Sequence, residues 1–545
     1  MTVRTGGEAI VDGLLAHDVD TVFGLPGAQI YGLFDAFKRA EPQLKVIGAR
    51  HEQACGYMAF GYARASGKPG VFSVVPGPGV LNASAAMLTA FGCNEPVLCL
   101  TGQVPTQFLG KGRGHLHEMP DQLATLRSIL KWAERVEHPG AAPATIARAF
   151  QEMTSGRRGP VSVEMPWDVF TQRAATSPLA PLAPLPSPEP DADQIQAAAK
   201  LIAGSKAPMI FVGAGAIHAA DEILELAELI DAPVVAFRSG RGIVSNAHDL
   251  GLTMAAAYRL WPQTDLIVGI GTRLELPSWR WPYRPAGQKS VRIDIDAVEM
   301  RRFTADVGIV SDARDGTTAL LAAVRKQGYA RQGGRRDIIR EATLGAQQQI
   351  QSVQPQMGYL NVLRDVLPHD GIVTDELSQV GFASWYGLPI YKPRTFISSG
   401  YQGTLGSGFP TALGAKVANP DKPVVAITGD GGFMFGVQEL ATAVQYKIGV
   451  VTLVFNNSAY GNVRRDQKTV FDGRVVAADL VNPDFVKLAE SFGVGAAHVN
   501  SPEAFRPALE KALADGGPTL ISVDVPRDSE TSPWRFIHPP KPDGV

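Results

Sequence analysis

Three cysteines in 545 residues, Cys55, Cys93 and Cys99, are too few for a disulfide framework and lack the spacing of a thiolate metal site. They read as reduced, buried thiols of a cytoplasmic protein. Charge of one sign is never concentrated: 51 Lys and Arg stand against 53 Asp and Glu, a formal charge of −2. That balance offers nucleic acid no binding surface. The densest basic segment, Arg331 to Arg340, encloses two glycines and no aromatics, which predicts a solvated connection. Charges also interrupt every apolar run before it reaches the roughly 20 residues of a spanning helix, and the N-terminal residues lack the apolar core of a secretory signal. The expectation is a protein neither secreted nor attached to a membrane.

What is present is a globular composition, 45% hydrophobic and 19% charged, on a chain long enough for several cores. Short apolar runs such as VFSVV (71–75) and PVLCL (96–100) alternate with helix-like stretches such as Gln53 to Ala65. This alternation predicts an α/β fold of three doubly wound, mainly parallel-sheet domains. They are expected at 1–170, 191–327 and 355–527. A linker at 171–190, with six prolines between Thr176 and Pro190, and a second at 328–354 would separate them. The tail, 528–545, carries Trp534 and Phe536, which favour packing as a lid over flapping free.

One stretch carries chemistry. KPVVAIT reads as a buried parallel strand, and Gly429-Asp430-Gly431-Gly432 follows at its carboxyl end, before a helix predicted over Val437 to Lys447. Glycines between a strand and a helix let backbone amides close on an anion such as a diphosphate. Asp430 would repel a phosphate but would hold a hard cation that bridges to one. The next strand, GVVTLVF, ends at Asn456-Asn457, so that Asn457, 27 residues after Asp430, emerges at the same sheet edge. Gly-Asp-Gly alone is a common turn and Asn-Asn a common strand end; together, in this order, they fit an Mg²⁺-diphosphate site.

The same stretch resembles the thiamine diphosphate motif of the thiamine-dependent decarboxylases and carboligases, and RHEQACGYMAFGYAR (50–64) is very similar to the catalytic glutamate segment of their acetolactate synthase and benzaldehyde lyase branch. The resemblance implies Mg²⁺ ligation by Asp430, Asn457 and the Ala459 carbonyl, with the diphosphate over Gly431 and Gly432. It implies that Glu52 hydrogen-bonds the cofactor's aminopyrimidine, and a carboxyl there would be desolvated. It puts Leu405 beneath the bent cofactor, where methionine is commoner, and assigns Gln379 and Pro26 to cofactor contacts. Since glutamate and diphosphate site come from different subunits in the family, it also implies a homodimer or homotetramer.

Elsewhere this chain departs from its relatives. Gln29, in VFGLPGAQIYGLFD (22–35), stands where benzaldehyde lyase has a proton-handling histidine, and can orient a carbonyl or hydroxyl. His117 falls where many relatives place an active-site glutamine and would titrate near neutrality, with His115 a weaker candidate. The central domain offers Gly213-Ala214-Gly215 after a strand, a dinucleotide fingerprint without its third glycine. In the family this domain binds FAD, binds ADP or is empty, and all three stay open here. Asp294 and Asp296 would bond a ribose or cap the next helix. Arg273 matches an acetolactate synthase arginine, but the later one is out of register, and Arg464 and Arg465 would bind a substrate carboxylate, bind a coenzyme A phosphate or form an exposed charged turn. The expected function is a decarboxylase or carboligase acting on 2-oxo acids. The alternatives are a C–C lyase of the benzaldehyde lyase, 2-hydroxyacyl-CoA lyase or oxalyl-CoA decarboxylase kind, and a non-catalytic cofactor-binding subunit, against which Glu52, Asp430 and Asn457 argue.

Overall fold

In the computed structural model, which describes residues 2–541, three six-stranded sheets are wholly parallel. The first runs, in space, Lys45–Gly48, Thr21–Gly24, Gly70–Val74, Val97–Gln103, Val161–Pro166, Trp132–Arg135. The third runs Phe396–Ile397, Ile372–Thr374, Val424–Gly429, Val451–Asn456, Thr519–Asp524, Gly495–Val499. Numbered by chain position within each sheet, both read 2-1-3-4-6-5. The central sheet, Gly251–Leu252, Val234–Ala236, Pro208–Val212, Leu266–Ile270, Lys289–Asp294, Val307–Val310, instead reads 3-2-1-4-5-6, the dinucleotide-binding order.

Strand order decides where ligands fit. Open parallel sheets bind them beyond the strand carboxyl ends, where neighbouring crossovers leave in opposite directions. In the third sheet that point lies between Ile372–Thr374 and Val424–Gly429, the strand that delivers Asp430. In the first it lies between Thr21–Gly24 and Gly70–Val74, which lead to Gln29 and Gly77. These strands are buried along nearly their whole length, as continuous apolar runs in a two-faced sheet require.

The first and third domains meet through two helices, Glu52–Ser66 and Gly408–Ala418, whose backbones touch. A Cβ at Gly61 would lie 2.0 Å from the Thr411 carbonyl oxygen, and one at Gly414 would lie 1.9 Å from that of Met58. Neither obstacle is a side chain that could swing away. Gly414→Val is therefore expected to cost about 1–3 kcal/mol or more by forcing the helices apart, read as a fall in Tm with the Glu52 helix losing protection from hydrogen exchange. An unchanged Tm would count against this contact.

The connections differ in part from expectation. Arg173–Thr176 pairs antiparallel with Thr2–Thr5, and only residues 177–190 run on without regular structure. The basic segment 331–340 is an exposed connection only over its first four residues: from Arg335 it is the helix Arg335–Ile350, which packs on Met254–Leu260. Ile339, Ala342, Ala346 and Ile350, spaced by threes and fours, form its buried stripe, and Arg335 is itself buried. At the C-terminus, Trp534–Ile537 forms a short helix with Phe536 and Ile537 buried. Residues 542–545 of the expected lid lie outside the described residues.

Candidate active site

Gly429 and Phe455 are register partners on adjacent strands, so Asp430 and Asn457 leave the sheet side by side. The glycine segment is no open loop: Asp430–Phe433 is a helical turn, and the helix expected from Val437 starts at Glu439. Asp430 is buried. Its Oδ2 accepts from Asn482 Nδ2 at 2.7 Å and from the Ala459 N–H at 3.2 Å. Among the described residues no basic side chain pairs with it, and burial raises its pKa against those hydrogen bonds. A hard cation would offset that burial.

Asn457 accepts the Ala459 N–H at Oδ1, 3.1 Å, and donates from Nδ2 to Glu530 Oε2 at 2.6 Å. Beside it lies a cradle that only glycine leaves open. A Cβ at Gly431 would stand 2.4 Å from the Tyr460 ring, and one at Gly432 would stand 2.2 Å from Glu376 Oε1. The pocket brings together Gln379, Leu405, Asp430, Gly431, Gly432, Asn457 and Ala459, walled by Phe382, Phe455 and Val463. No cluster of three or more His, Cys, Asp or Glu suited to a metal occurs among the described residues. One carboxylate, one amide oxygen and one carbonyl suit a cation whose other ligands are diphosphate oxygens, so the donor set and the side-chain-free cradle fit the group the resemblance implies.

Behind the cradle sits an acid that sequence reasoning missed. Glu376 is fully buried, accepts the Gly406 N–H at Oε1 and leaves Oε2 without a partner. Burial pushes its pKa up to about 8, from 4.5. Between those two values the unfolded chain has released this proton while the folded chain keeps it, so stability falls as pH rises across the window. Glu376→Gln, neutral and nearly isosteric, is expected to flatten the fall. Thermal melts of the cofactor-free protein between about pH 5 and 8 would show it; parallel slopes for the two proteins would refute the burial argument.

Glu52 opens the Glu52–Ser66 helix, and Asn82 donates to its Oε2 at 3.0 Å. Within one chain the expected desolvation is not reached: Glu52 is half-buried and Asn82 is exposed. Among the described residues Asn82, on the Pro78–Cys93 helix, is the one side chain that hydrogen-bonds the carboxyl. The turn before Glu52 is held firmly. Both Glu439 oxygens accept the Arg50 N–H, at 3.1 and 3.2 Å, the Tyr446 hydroxyl accepts the Gly48 N–H at 2.9 Å, and Arg50 Nη2 donates to Gln445 at 3.1 Å. One helix of the third domain thus fixes the approach to Glu52.

Gln29 and His117 both lie near this carboxyl's side of the first domain, and both have left-handed backbone, φ 73° and 63°. Gln29 is fully buried, donates to the Leu116 carbonyl at 2.6 Å and keeps Oε1 unpartnered. His115 Nδ1 stands 3.3 Å from the Gln29 amide nitrogen. Burial lowers the His117 pKa, with the Glu52 charge opposing, and His117 Nδ1 is buried without a partner. The imidazole is therefore largely neutral at neutral pH. Pro26 is exposed on the same loop system. None of these residues reaches the Asp430 pocket, whose lining begins at Leu377. Within one chain the first-domain candidates and the Asp430 pocket thus stand apart.

In the central domain, Gly213 and Gly215 pack so tightly on Gly271 that their Cβ atoms would lie 2.4 Å from its oxygen and 3.1 Å from its Cα. Asp294 accepts the Asp296 N–H, while Asp296 caps the Val298 N–H and meets Arg157. Arg273 donates to the Gly92 carbonyl at 2.8 Å and lies over the Tyr401 ring. Arg464 is held by Asp479 and Asp528, and Arg465 by Asp466 and Ser532.

Three segments match models of thiamine pyrophosphate enzymes: residues 4–125 the N-terminal TPP binding domain, 195–320 the central domain and 378–523 the C-terminal TPP binding domain. A probable acetolactate synthase large subunit of Methanocaldococcus jannaschii is 35% identical over 95% of this chain and 91% of its own. The acetolactate synthase isozyme 1 large subunit of Escherichia coli is 30% identical over 98% of this chain and 96% of its own. A probable 2-ketoarginine decarboxylase of Pseudomonas aeruginosa is 31% identical over 95% and 94%. By these matches the chain belongs to the thiamine pyrophosphate enzyme family, within its acetolactate synthase branch.

Proposed function

We propose that the protein is a thiamine diphosphate- and Mg²⁺-dependent carboligase of acetolactate synthase type, acting on 2-oxo acids such as pyruvate and working as at least a homodimer. The observation that carries this reading is the buried Asp430 carboxylate, with no basic partner, beside Asn457 and the side-chain-free cradle of Gly431 and Gly432. When bound, the cofactor supplies a carbon nucleophile and accepts the electron pair released by decarboxylation.

The chain's own residues do the rest. Asp430, Asn457 Oδ1 and the Ala459 carbonyl hold Mg²⁺, and Gly431 and Gly432 receive the diphosphate. Leu405 and Gln379 line the same pocket, where Phe382, Phe455 and Val463 would exclude water. Glu52 would hold and move a proton at its carboxyl beside the aminopyrimidine of the bound group, and docking of a second copy of the chain would supply the desolvation that one chain lacks. Gln29 and His117, with unpartnered buried atoms, orient the substrate's oxygen atoms from the same side. The central domain, where Gly213 and Gly215 pack on Gly271, is the place for FAD, for ADP or for no nucleotide. Denaturation, with the absorption spectrum of whatever is released, distinguishes the three.

Proton NMR of the protein with thiamine diphosphate, Mg²⁺ and pyruvate tests the reading. Acetolactate or acetoin is the expected product. Unchanged pyruvate over a cofactor-loaded protein would overturn it and direct attention to 2-hydroxy ketones.

One observation favours a second reading, decarboxylation ended by proton addition. Arg464 and Arg465 are engaged by Asp479, Asp528, Asp466 and Ser532, so neither is free for the carboxylate of a second 2-oxo acid. The same engagement weighs against a coenzyme A thioester. An aldehyde as the sole product in the NMR experiment would select the decarboxylase.

A further inference from the structure

The segment after the last strand of the third sheet lies across the Asp430 pocket and is tied down along its length. Asp528 meets Arg464, Thr531 exchanges hydrogen bonds with Gln354 and Gln356, Ser532 accepts from Arg465, and Trp534 donates to Asn462 Oδ1 at 2.5 Å. Tyr258 of the central domain donates to the Pro540 carbonyl at 2.7 Å. From this strap one side chain turns inward. Glu530 lines the pocket with Asp430 and Gly431, and its Oε2 accepts from Asn457 Nδ2 at 2.6 Å.

An asparagine amide has two ends of nearly equal shape and opposite polarity. Glu530 Oε2 takes the NH₂ end, which turns Oδ1 toward Ala459 and Asp430, the side where the cation would sit. Outer partners of this kind typically change metal affinity 10–100-fold when removed. We propose that Glu530 is a positioning residue for Asn457, and that through it the C-terminal strap is coupled to loading of Mg²⁺ and diphosphate. The inference rests on Asn457 being a metal ligand. Because coupling of two binding events is reciprocal, a strap that tightens the cation must itself be held more firmly when the cation is present.

Calorimetric titration of wild type, Glu530→Ala and Glu530→Gln with Mg²⁺ at saturating thiamine diphosphate is the first arm. Glu530→Ala is expected to weaken Mg²⁺ by roughly 10–100-fold, and Glu530→Gln, whose amide oxygen can still accept from Asn457, to recover part of the loss. A structural role for the strap alone would not distinguish the two variants. The second arm needs no variant: trypsin cleavage after Arg527 and Arg535 in the wild-type protein is expected to slow when Mg²⁺ and thiamine diphosphate are added. Wild-type Mg²⁺ affinity in Glu530→Ala would overturn the proposal, as would cleavage that ignores the cofactor. If the wild-type protein bound neither Mg²⁺ nor thiamine diphosphate, the reading of the pocket itself would fall, a result distinct from either.

Discussion

Asp430→Ala is expected to lose Mg²⁺ and thiamine diphosphate together, leaving a folded protein without turnover. The carboxylate is the only charged protein group in the proposed coordination shell, since Asn457 and Ala459 contribute neutral oxygens. Without it the cation has no anionic protein ligand and the diphosphate has no bridge to the sheet. Folding should survive, because Asp430 is an unfavourably buried charge in the cofactor-free chain, its pKa raised chiefly by desolvation. Asn482 and the Ala459 N–H would each lose one acceptor but keep another, Asn456 Oδ1 and Asn457 Oδ1, so neither incurs the about 1–3 kcal/mol of a donor left buried with no partner. Calorimetry should detect no heat of Mg²⁺-dependent cofactor binding, while the far-UV spectrum stays that of wild type. Cofactor binding retained at wild-type strength would remove Asp430 from the metal site.

The Asp430–Asn457 pair was legible because its geometry is local. A strand, a turn, a helix and a returning strand consume a fixed length of chain, and parallel register then sets the two ends side by side. The groups that tune the pair were not. Asn482 reaches Asp430 across 52 residues and Glu530 reaches Asn457 across 73, with no repeat or motif to announce either. Glu376 stands in no motif that the sequence offers; its burial behind Gly432 is visible only in the fold. The Arg335–Ile350 helix was hidden by composition, because Gly-Gly and four arginines suggested solvent while the spacing of Ile339, Ala342, Ala346 and Ile350 already described a buried stripe. The shared 2-1-3-4-6-5 order of the first and third sheets leaves no trace in the sequence, since strand pairing is a long-range choice.

Glu52→Gln should bind the cofactor nearly as wild type does yet slow turnover by roughly a hundredfold or more, the scale of lost acid-base catalysis. The substitution keeps shape and the contact with Asn82, whose amide can turn to match, and removes only the proton exchange. Its sharper use is in combination with Asp430→Ala. In one chain the Asp430 pocket is lined by nothing before Leu377, and Glu52 stands at the edge of another domain. If each site takes Glu52 from one subunit and Asp430 from the other, a mixed dimer of the two inactive variants contains one site with both residues intact and one with neither. Random assortment puts half the chains in mixed dimers, each with one working site of two, so co-refolding equal amounts should restore about a quarter of wild-type activity. If both residues came from the same chain, every site in every dimer would carry one lesion and the mixture would stay as inactive as its parts. The activity of that mixture therefore decides whether a single polypeptide can hold a complete site, which no measurement on either variant alone can do.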